Sequence, residues 1–199
     1  MVIPEFGEIW LGLVVALLAG GFIQKRLDHG KHAIFLVIVF SVSLLPLFDG
    51  LSLAQVFRGV LGELSITTLV LLILWNLKSI ARFLKLQDQK HLLLFIVAIF
   101  AIPFYWASLG GAPVDPYGWG YGNWYVYGIL IIGSLLSVYK GYYFIPVIVL
   151  AAMLAEVTDL LESTNLWDYL FDPALAIYAI VITSRRQYIL ALERWRQSR

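Results

Sequence analysis

Five carboxylates near the C-terminal end are candidate groups for cation binding or proton transfer. Apolar runs flank them on both sides and have the character of membrane-crossing helices. A carboxylate close to hydrocarbon is energetically costly, and by default it indicates a functional site. The five acids are Glu156, Asp159, Glu162, Asp168 and Asp172.

The spacing of these acids places them in two groups on neighbouring helices. Glu156 and Asp159 share a helix face at i, i+3, and Asp168 and Asp172 share one at i, i+4. The connection between the two helices is very short, so we expect antiparallel neighbours. Glu156 and Asp172 each lie roughly 10 Å from the connection, at 1.5 Å per residue. The sequence therefore predicts that these two carboxyls meet at one depth.

Three interpretations of the acids remain open. Glu156, Asp159, Asp168 and Asp172 form a candidate metal site, because carboxylates with loop carbonyls suit Ca²⁺ or Mg²⁺. A divalent cation is the cofactor that such a site would hold. Alternatively, two facing carboxyls share a proton, since like charges in low dielectric raise a pKa. The third interpretation is helix-end chemistry, with Asp168 near a positive helix end and Asp172 as a capping residue just before Pro173.

A segment rich in glycine and aromatic residues, 110–128, is a second candidate site. Its glycines argue against a helix, and its rings fit an aromatic belt at a membrane surface. The alternative is a stacking platform for a sugar, a lipid headgroup or a peptide. The candidate ligand-binding residues are Tyr117, Trp119, Tyr121 and Trp124.

The first apolar helix carries Gly12, Ala16 and Gly20 at i, i+4 and i+8. Small residues at this spacing let another helix approach closely. The face serves either packing within the chain or the docking of another membrane protein.

Several kinds of chemistry find no support in the residues. The chain contains no cysteine, and no nucleotide-binding or hydrolase motif occurs. His29, His32 and His91 lie among basic residues, away from the acids, so we expect neither a mixed metal site nor a haem site. A net charge of +1 gives no electrostatic support for a nucleic-acid partner.

Composition sets the class of the protein. Of 199 residues 61% are hydrophobic and 14% charged, and mean hydropathy is +0.84. Soluble domains carry about 25% charged residues. We therefore predict an all-α, polytopic transmembrane bundle that forms one membrane domain, 1–199. Its seven helices are expected at 9–24, 33–48, 64–83, 91–109, 124–139, 143–161 and 166–184, followed by an amphipathic cytoplasmic tail, 185–199.

Charge predicts the orientation, because lysine and arginine in short loops favour the cytoplasmic side. With seven crossings, every lysine and arginine except Arg58 falls on one side, including Lys78 and Arg82 at the end of the third helix. All acids except Asp28, Asp88 and Glu193 fall on the other side. We expect the N-terminus outside and the C-terminus in the cytoplasm, in the inner membrane if the protein is bacterial.

Three functions are compatible with these features. The first is a small non-enzymatic accessory or ligand-binding subunit that packs against partner membrane proteins. The second is a cation- or proton-coupled transporter or channel that uses the outer acids. The third is a membrane-embedded enzyme that acts on a lipid or a lipid-linked sugar. The absence of catalytic motifs favours the first.

Overall fold

The chain is mostly helical, and the predicted all-α class is confirmed. The structure is a computed structural model that describes residues 6–77 and 86–197. Two short turns, the π turn Ala107–Gly111 and the 3-10 turn Gly118–Gly120, separate the helix Leu86–Trp106 from the helix Trp124–Tyr139. The elements are α1 (Phe6–Ile23), α2 (His29–Ser43), β1 (Pro46–Phe48), β2 (Leu51–Ser52), α3 (Leu53–Leu61), α4 (Ile66–Asn76), α5 (Leu86–Trp106), α6 (Trp124–Tyr139), α7 (Phe144–Val157), α8 (Leu166–Leu170) and α9 (Pro173–Gln197).

Helices α4 and α7 lie at the centre of the bundle. α1 packs against α2, α3 and α4, while α7 contacts α4, α5, α6 and α8. α9 packs along α5. Leu11, Leu94 and Ile148, each 2% exposed or less, contribute to one apolar core from α1, α5 and α7. We call the end of this bundle at which α1, α4 and α9 begin the acidic end, and the opposite end the basic end.

A small hairpin and a capped helix connect α2 to α4 at the acidic end. α2 ends at Ser43, earlier than the predicted residue 48. The residue before a proline disfavours helical backbone, and Pro46 opens β1 instead. Asp49 and Gly50 take positive φ angles of 47° and 86° in the turn between β1 and β2. α3 then begins at a capping box made by Ser52 and Gln55.

The last predicted helix, 166–184, is wrong in its bounds. The structure has the short helix α8, a break, and then α9 from Pro173 to Gln197. Phe171 takes extended backbone between them, and Pro173 supplies a favoured first residue for α9. The tail expected from residue 185 is the continuation of α9 rather than a separate helix, and its residues 185–197 are exposed. Positions 198–199 lie outside the described residues.

Two helical stretches within the described residues are long and apolar enough to cross a membrane. They are Asp88–Gly111 and Pro173–Gln197. Five other apolar helical stretches are shorter, at 10–17 residues: Gly7–Ile23, His29–Ser43, Ile66–Asn76, Trp124–Tyr139 and Phe144–Val157. The predicted end of the third helix, with Lys78 and Arg82, lies outside the described residues.

Candidate functional site

The Asp172 carboxylate is 3% exposed and accepts four hydrogen bonds. Its Oδ2 accepts from the backbone N–H of Ser65 at 2.9 Å, from the Ser65 hydroxyl at 2.7 Å and from the Thr68 hydroxyl at 2.5 Å. Its Oδ1 accepts from the backbone N–H of Leu175 at 2.8 Å. A carboxylate offers about four lone-pair sites, so these donors saturate it.

Two helix N-termini converge on this carboxylate. Asp172 immediately precedes Pro173, the first residue of α9, and its bond to Leu175 N–H has the geometry of an N-cap. Ser65 is the N-cap of α4, where its hydroxyl also accepts from the N–H of Thr68. The positive ends of two helix dipoles therefore face one negative charge. Among residues 6–77 and 86–197, no basic side chain pairs with this carboxylate.

Further hydrogen bonds hold the break between α8 and α9 and the loop before it. The Thr67 hydroxyl donates to the carbonyl of Leu170, the last residue of α8. The Tyr169 side chain is fully buried, and its hydroxyl lies 2.8 Å from the carbonyl of Ser163 and 3.2 Å from the N–H of Leu161. One phenol thus fixes the loop that connects α7 to α8.

Asp168 belongs to a different group of contacts from Asp172. Its Oδ2 accepts from the Tyr117 hydroxyl at 2.8 Å and from the Ser163 hydroxyl at 2.5 Å. Burial, followed by the hydrogen bond to Asp168, raises the pKa of the Tyr117 hydroxyl above its ordinary value. The phenol therefore remains a donor at neutral pH and binds the aromatic segment to α8.

Two more bonds tie the aromatic segment to α8. Asn165, which is fully buried, donates from its side chain to the carbonyl of Tyr117 at 2.9 Å. The indole of Trp167 donates to the carbonyl of Pro116 at 2.9 Å. A Cβ at Gly120 would overlap the Asn165 side chain, so the close approach requires glycine. The segment is folded onto the acidic end by specific contacts.

The predicted ligand-binding residues divide into two groups. Tyr117 is bound to Asp168, whereas Trp119, Tyr121 and Trp124 are 49%, 54% and 69% exposed. The Trp124 ring stacks on that of Tyr125 with a centroid distance of 3.9 Å. The exposed rings form an aromatic edge beside the start of α6.

Three of the four acids predicted as metal ligands form hydrogen bonds to separate partners, and the fourth, Asp159, is exposed. The Glu156 carboxylate accepts from the Tyr127 hydroxyl at 2.8 Å, whereas Asp168 and Asp172 have the partners given above. Asp159 is exposed and takes a positive φ of 48° in the turn after α7. Over residues 6–77 and 86–197, no group of three or more histidines and acids has the geometry to hold a metal ion. The expected meeting of Glu156 with Asp172 has no counterpart in their hydrogen bonds.

Arg58 was the exception in the charge pattern, and its contacts explain it. The Arg58 guanidinium pairs with the carboxylates of Glu63, at 3.9 Å, and Glu162. The backbone N–H of Glu162 also donates to Glu63 at 2.6 Å. These pairs fasten the loop after α7 to α3. The position of Arg58 among acids in the sequence already indicated ion pairs of this kind. No sequence pattern indicated the partners of Asp172.

The small-residue face of α1 packs inside the chain. A Cβ at Gly12 would meet the side chains of Ser43 and Leu44, at the end of α2, at 3.0 Å, and one at Gly20 would meet Leu36 at 2.4 Å. Ala16, between them, is 1% exposed. The chain's own helices occupy this face, and we place no partner on it.

His32, one of the three histidines among basic residues, is also packed against α1. It is 8% exposed, and its Nε2 lies 3.2 Å from the carbonyl of Gly20. The missing side chain of Gly20 gives the imidazole room for this contact.

Comparison of the chain with models of known protein families, with curated proteins and with solved structures found no match.

Proposed function

We propose that the chain is an integral membrane protein with seven crossings, its N-terminus outside and its C-terminus in the cytoplasm. The proposed crossings are α1, α2, α4, α5, α6, α7 and the α8–α9 pair. The two long apolar helices support a location in a membrane. The separation of basic from acidic residues supports the orientation. In a bacterium this membrane would be the cytoplasmic one.

Within this membrane protein we propose a non-enzymatic role as an accessory subunit. The support is that the acidic end uses its carboxylates internally. Asp172 is saturated by four donors, and Asp168 and Glu156 are bound to phenols of the same chain. A general acid, base or metal ligand needs a carboxyl oxygen directed at a substrate or an ion. These three carboxylates instead fix loops and helix ends.

The proposed binding surface for a partner membrane protein is one face of α6. Within α6, all of which is described, Val126 is the one buried residue. Five of its nine exposed large apolar residues recur with the 4-3-4-3 spacing of a helix-packing seam. We call these residues the α6 stripe: Tyr125, Ile129, Ile132, Leu136 and Tyr139, which are 62%, 69%, 60%, 57% and 88% exposed.

Two features distinguish the α6 stripe from an ordinary lipid-facing surface. Gly133 lies at one edge of the stripe, four residues after Ile129, and no described atom lies within 4 Å of the position of its Cβ. Small residues permit close contact between helices in a bilayer. The stripe also begins beside the exposed rings of Tyr121 and Trp124, and tryptophan and tyrosine are favoured as interface anchors. The α6 stripe, continuous with this aromatic edge, is the observation that carries the proposed role.

Photo-crosslinking tests this role in the native membrane. A photoreactive amino acid replaces Ile132 on the α6 stripe, and a matched control carries it at Val37 on α2. The two side chains are 60% and 63% exposed, and each is the ninth residue of its helix. We expect a discrete protein adduct at position 132 and lipid adducts alone at position 37. Lipid adducts alone at both positions would refute the partner surface.

The topology has its own test, because the chain contains no cysteine. Single cysteines at Asp49 and Asp115 are expected to react with an impermeant reagent from outside. Single cysteines at Lys31 and Lys140 are expected to react after the cytoplasmic side is opened. All four positions are exposed in the structure. Labelling of positions 115 and 140 from the same side would exclude the seven-crossing arrangement.

A further inference from the structure

An apolar cavity of about 460 Å³ lies between α1, α4 and α9 and has one lysine at its edge. Leu64, Leu71 and Leu175 form its floor and are 3%, 7% and 3% exposed. Phe22 and Tyr178 form its rim and are 78% and 44% exposed. Ligand pockets in proteins measure roughly 300–1,000 Å³, so the cavity has the size of a binding site.

Specific contacts shape the wall of this cavity. The Trp75 ring meets the Phe22 ring edge to face at a centroid distance of 5.0 Å. A Cβ at Gly21 would lie 2.5 Å from the Trp75 ring, so glycine is what lets the indole lie against α1. The wall from Thr68 to Trp75 extends about 10 Å along the α4 axis at 1.5 Å per residue. The cavity is therefore elongated along a helix, which suits a linear apolar chain.

Lys90 is the charged residue among the described residues that line the cavity. It is half-buried, and within the part of the chain that the structure describes it makes no hydrogen bond or ion pair. Residues 78–85, which precede it, include no acid that could neutralise it. A partly buried cation without an anion is unfavourable. An apolar cavity bordered by an unpaired cation is complementary to an anionic amphiphile.

We propose that the cavity binds one acyl chain of an anionic phospholipid, whose phosphate pairs with the Lys90 ammonium. Lys90 is in the first turns of α5, at the basic end, which is the level of the cytoplasmic headgroups in the arrangement proposed above. The acyl chain extends from there along Trp75 and Leu71 toward Thr68. This inference rests on the proposed membrane location and is independent of the α6 stripe.

Native mass spectrometry of the full chain in detergent micelles tests the proposal. The probes are phosphatidylglycerol and phosphatidylcholine with identical acyl chains, and the readout is the ratio of their affinities for the first bound lipid. The variants are Lys90→Gln and the matched control Lys140→Gln, which removes an exposed lysine from the same end. A lysine near an anionic lipid surface contributes an affinity factor of about fivefold.

We expect wild type and Lys140→Gln to prefer phosphatidylglycerol, and Lys90→Gln to lose about fivefold of that preference. Leu72→Trp and Leu18→Trp, from two walls of the cavity, are expected to remove the first bound lipid whatever its headgroup. An unchanged preference in Lys90→Gln overturns the proposal, as does full binding in a folded tryptophan variant. If neither tryptophan variant folds, the Lys90→Gln comparison decides alone.

A free fatty acid is the alternative anionic amphiphile. Displacement of phosphatidylglycerol by an equal concentration of palmitate would show that the cavity prefers it, and would overturn the phospholipid assignment. The Ile132 crosslink does not involve the cavity. A failed lipid experiment beside a successful crosslink thus rejects this inference and leaves the proposed role intact.

Discussion

The substitution Asp172→Asn tests whether Asp172 stabilises two helix ends through both of its carboxylate oxygens, or whether any buried polar side chain of the same shape is sufficient. In the native protein both oxygens of the carboxylate accept hydrogen bonds from backbone N–H groups, one from Ser65 and one from Leu175. An asparagine side chain has one accepting oxygen and one donating NH₂ group. In either orientation the NH₂ group faces a backbone N–H. The shape of the side chain is kept, but one buried donor loses its acceptor.

The magnitude follows from the bonds and the charge that are lost. A buried donor without an acceptor costs about 1–3 kcal/mol. Removal of the negative charge also loses its interaction with two helix N-termini, about 0.3–1 kcal/mol each. The hydroxyls of Ser65 and Thr68 rotate and adapt, so they add little. We expect Asp172→Asn to lower the free energy of unfolding by about 2–5 kcal/mol.

Asp168→Asn is the matched control for this change. Both bonds to Asp168 reach one oxygen and come from the hydroxyls of Tyr117 and Ser163. The asparagine oxygen can keep both donors, so we expect a loss of no more than about 1 kcal/mol. Equilibrium unfolding by sodium dodecyl sulfate in mixed micelles measures both variants. Equal losses in the two variants, or an Asp172→Asn protein as stable as wild type, would refute the assignment of Asp172 to the helix ends.

Three further predictions concern the loop and the helix packing. Amides of the aromatic segment 110–128 should exchange slowly in nanodiscs, because its bonds to Asn165 and Trp167 order it; uniformly fast exchange would contradict this. Because the pKa of Tyr117 is raised, its bond to Asp168 stabilises the fold below about pH 10 and is lost as pH rises through the folded pKa. The stability gap between wild type and Tyr117→Phe should therefore shrink in alkaline unfolding series, and the ultraviolet difference titration of the two proteins should show a phenol that ionises above pH 10. Gly20→Ala should destabilise by about 1–3 kcal/mol through overpacking against Leu36, whereas Gly128→Ala, which meets open space, should stabilise by about 0.5–1 kcal/mol.

The importance of Asp172 was readable from the sequence, but its partners were not. An acid before a proline at the edge of an apolar run indicates a helix N-cap, and the structure has that cap. Ser65 also carries a local cap signal, because it immediately precedes an apolar run. Contact between the two residues spans 107 positions of sequence. No local pattern contains that contact, which depends on α4 and α9 beginning side by side.

The error in the last helix has a related cause. A single crossing needs about 17–25 residues, and this length requirement favoured one helix over 166–184. The sequence also contained the stronger local signal, Asp172 followed by Pro173, which starts a helix. The length of an apolar segment does not distinguish one helix from two shorter helices when neighbouring residues form hydrogen bonds with the polar groups at the break. Here Thr67 and Ser65 supply those neighbours from α4.

Acids at the edge of hydrocarbon raise a functional hypothesis because an uncompensated charge there is costly. The cost disappears when helix ends supply the compensation, as they do at Asp172. The same reasoning gives a different result for Lys90, whose charge meets no described anion. An acid whose charge is bound by donors of the same chain has a structural role. A charge that lies beside a cavity without such a partner indicates that the cavity binds a ligand of opposite charge. The informative residue in this bundle is therefore the lysine at the basic end, although the sequence drew attention to the acids.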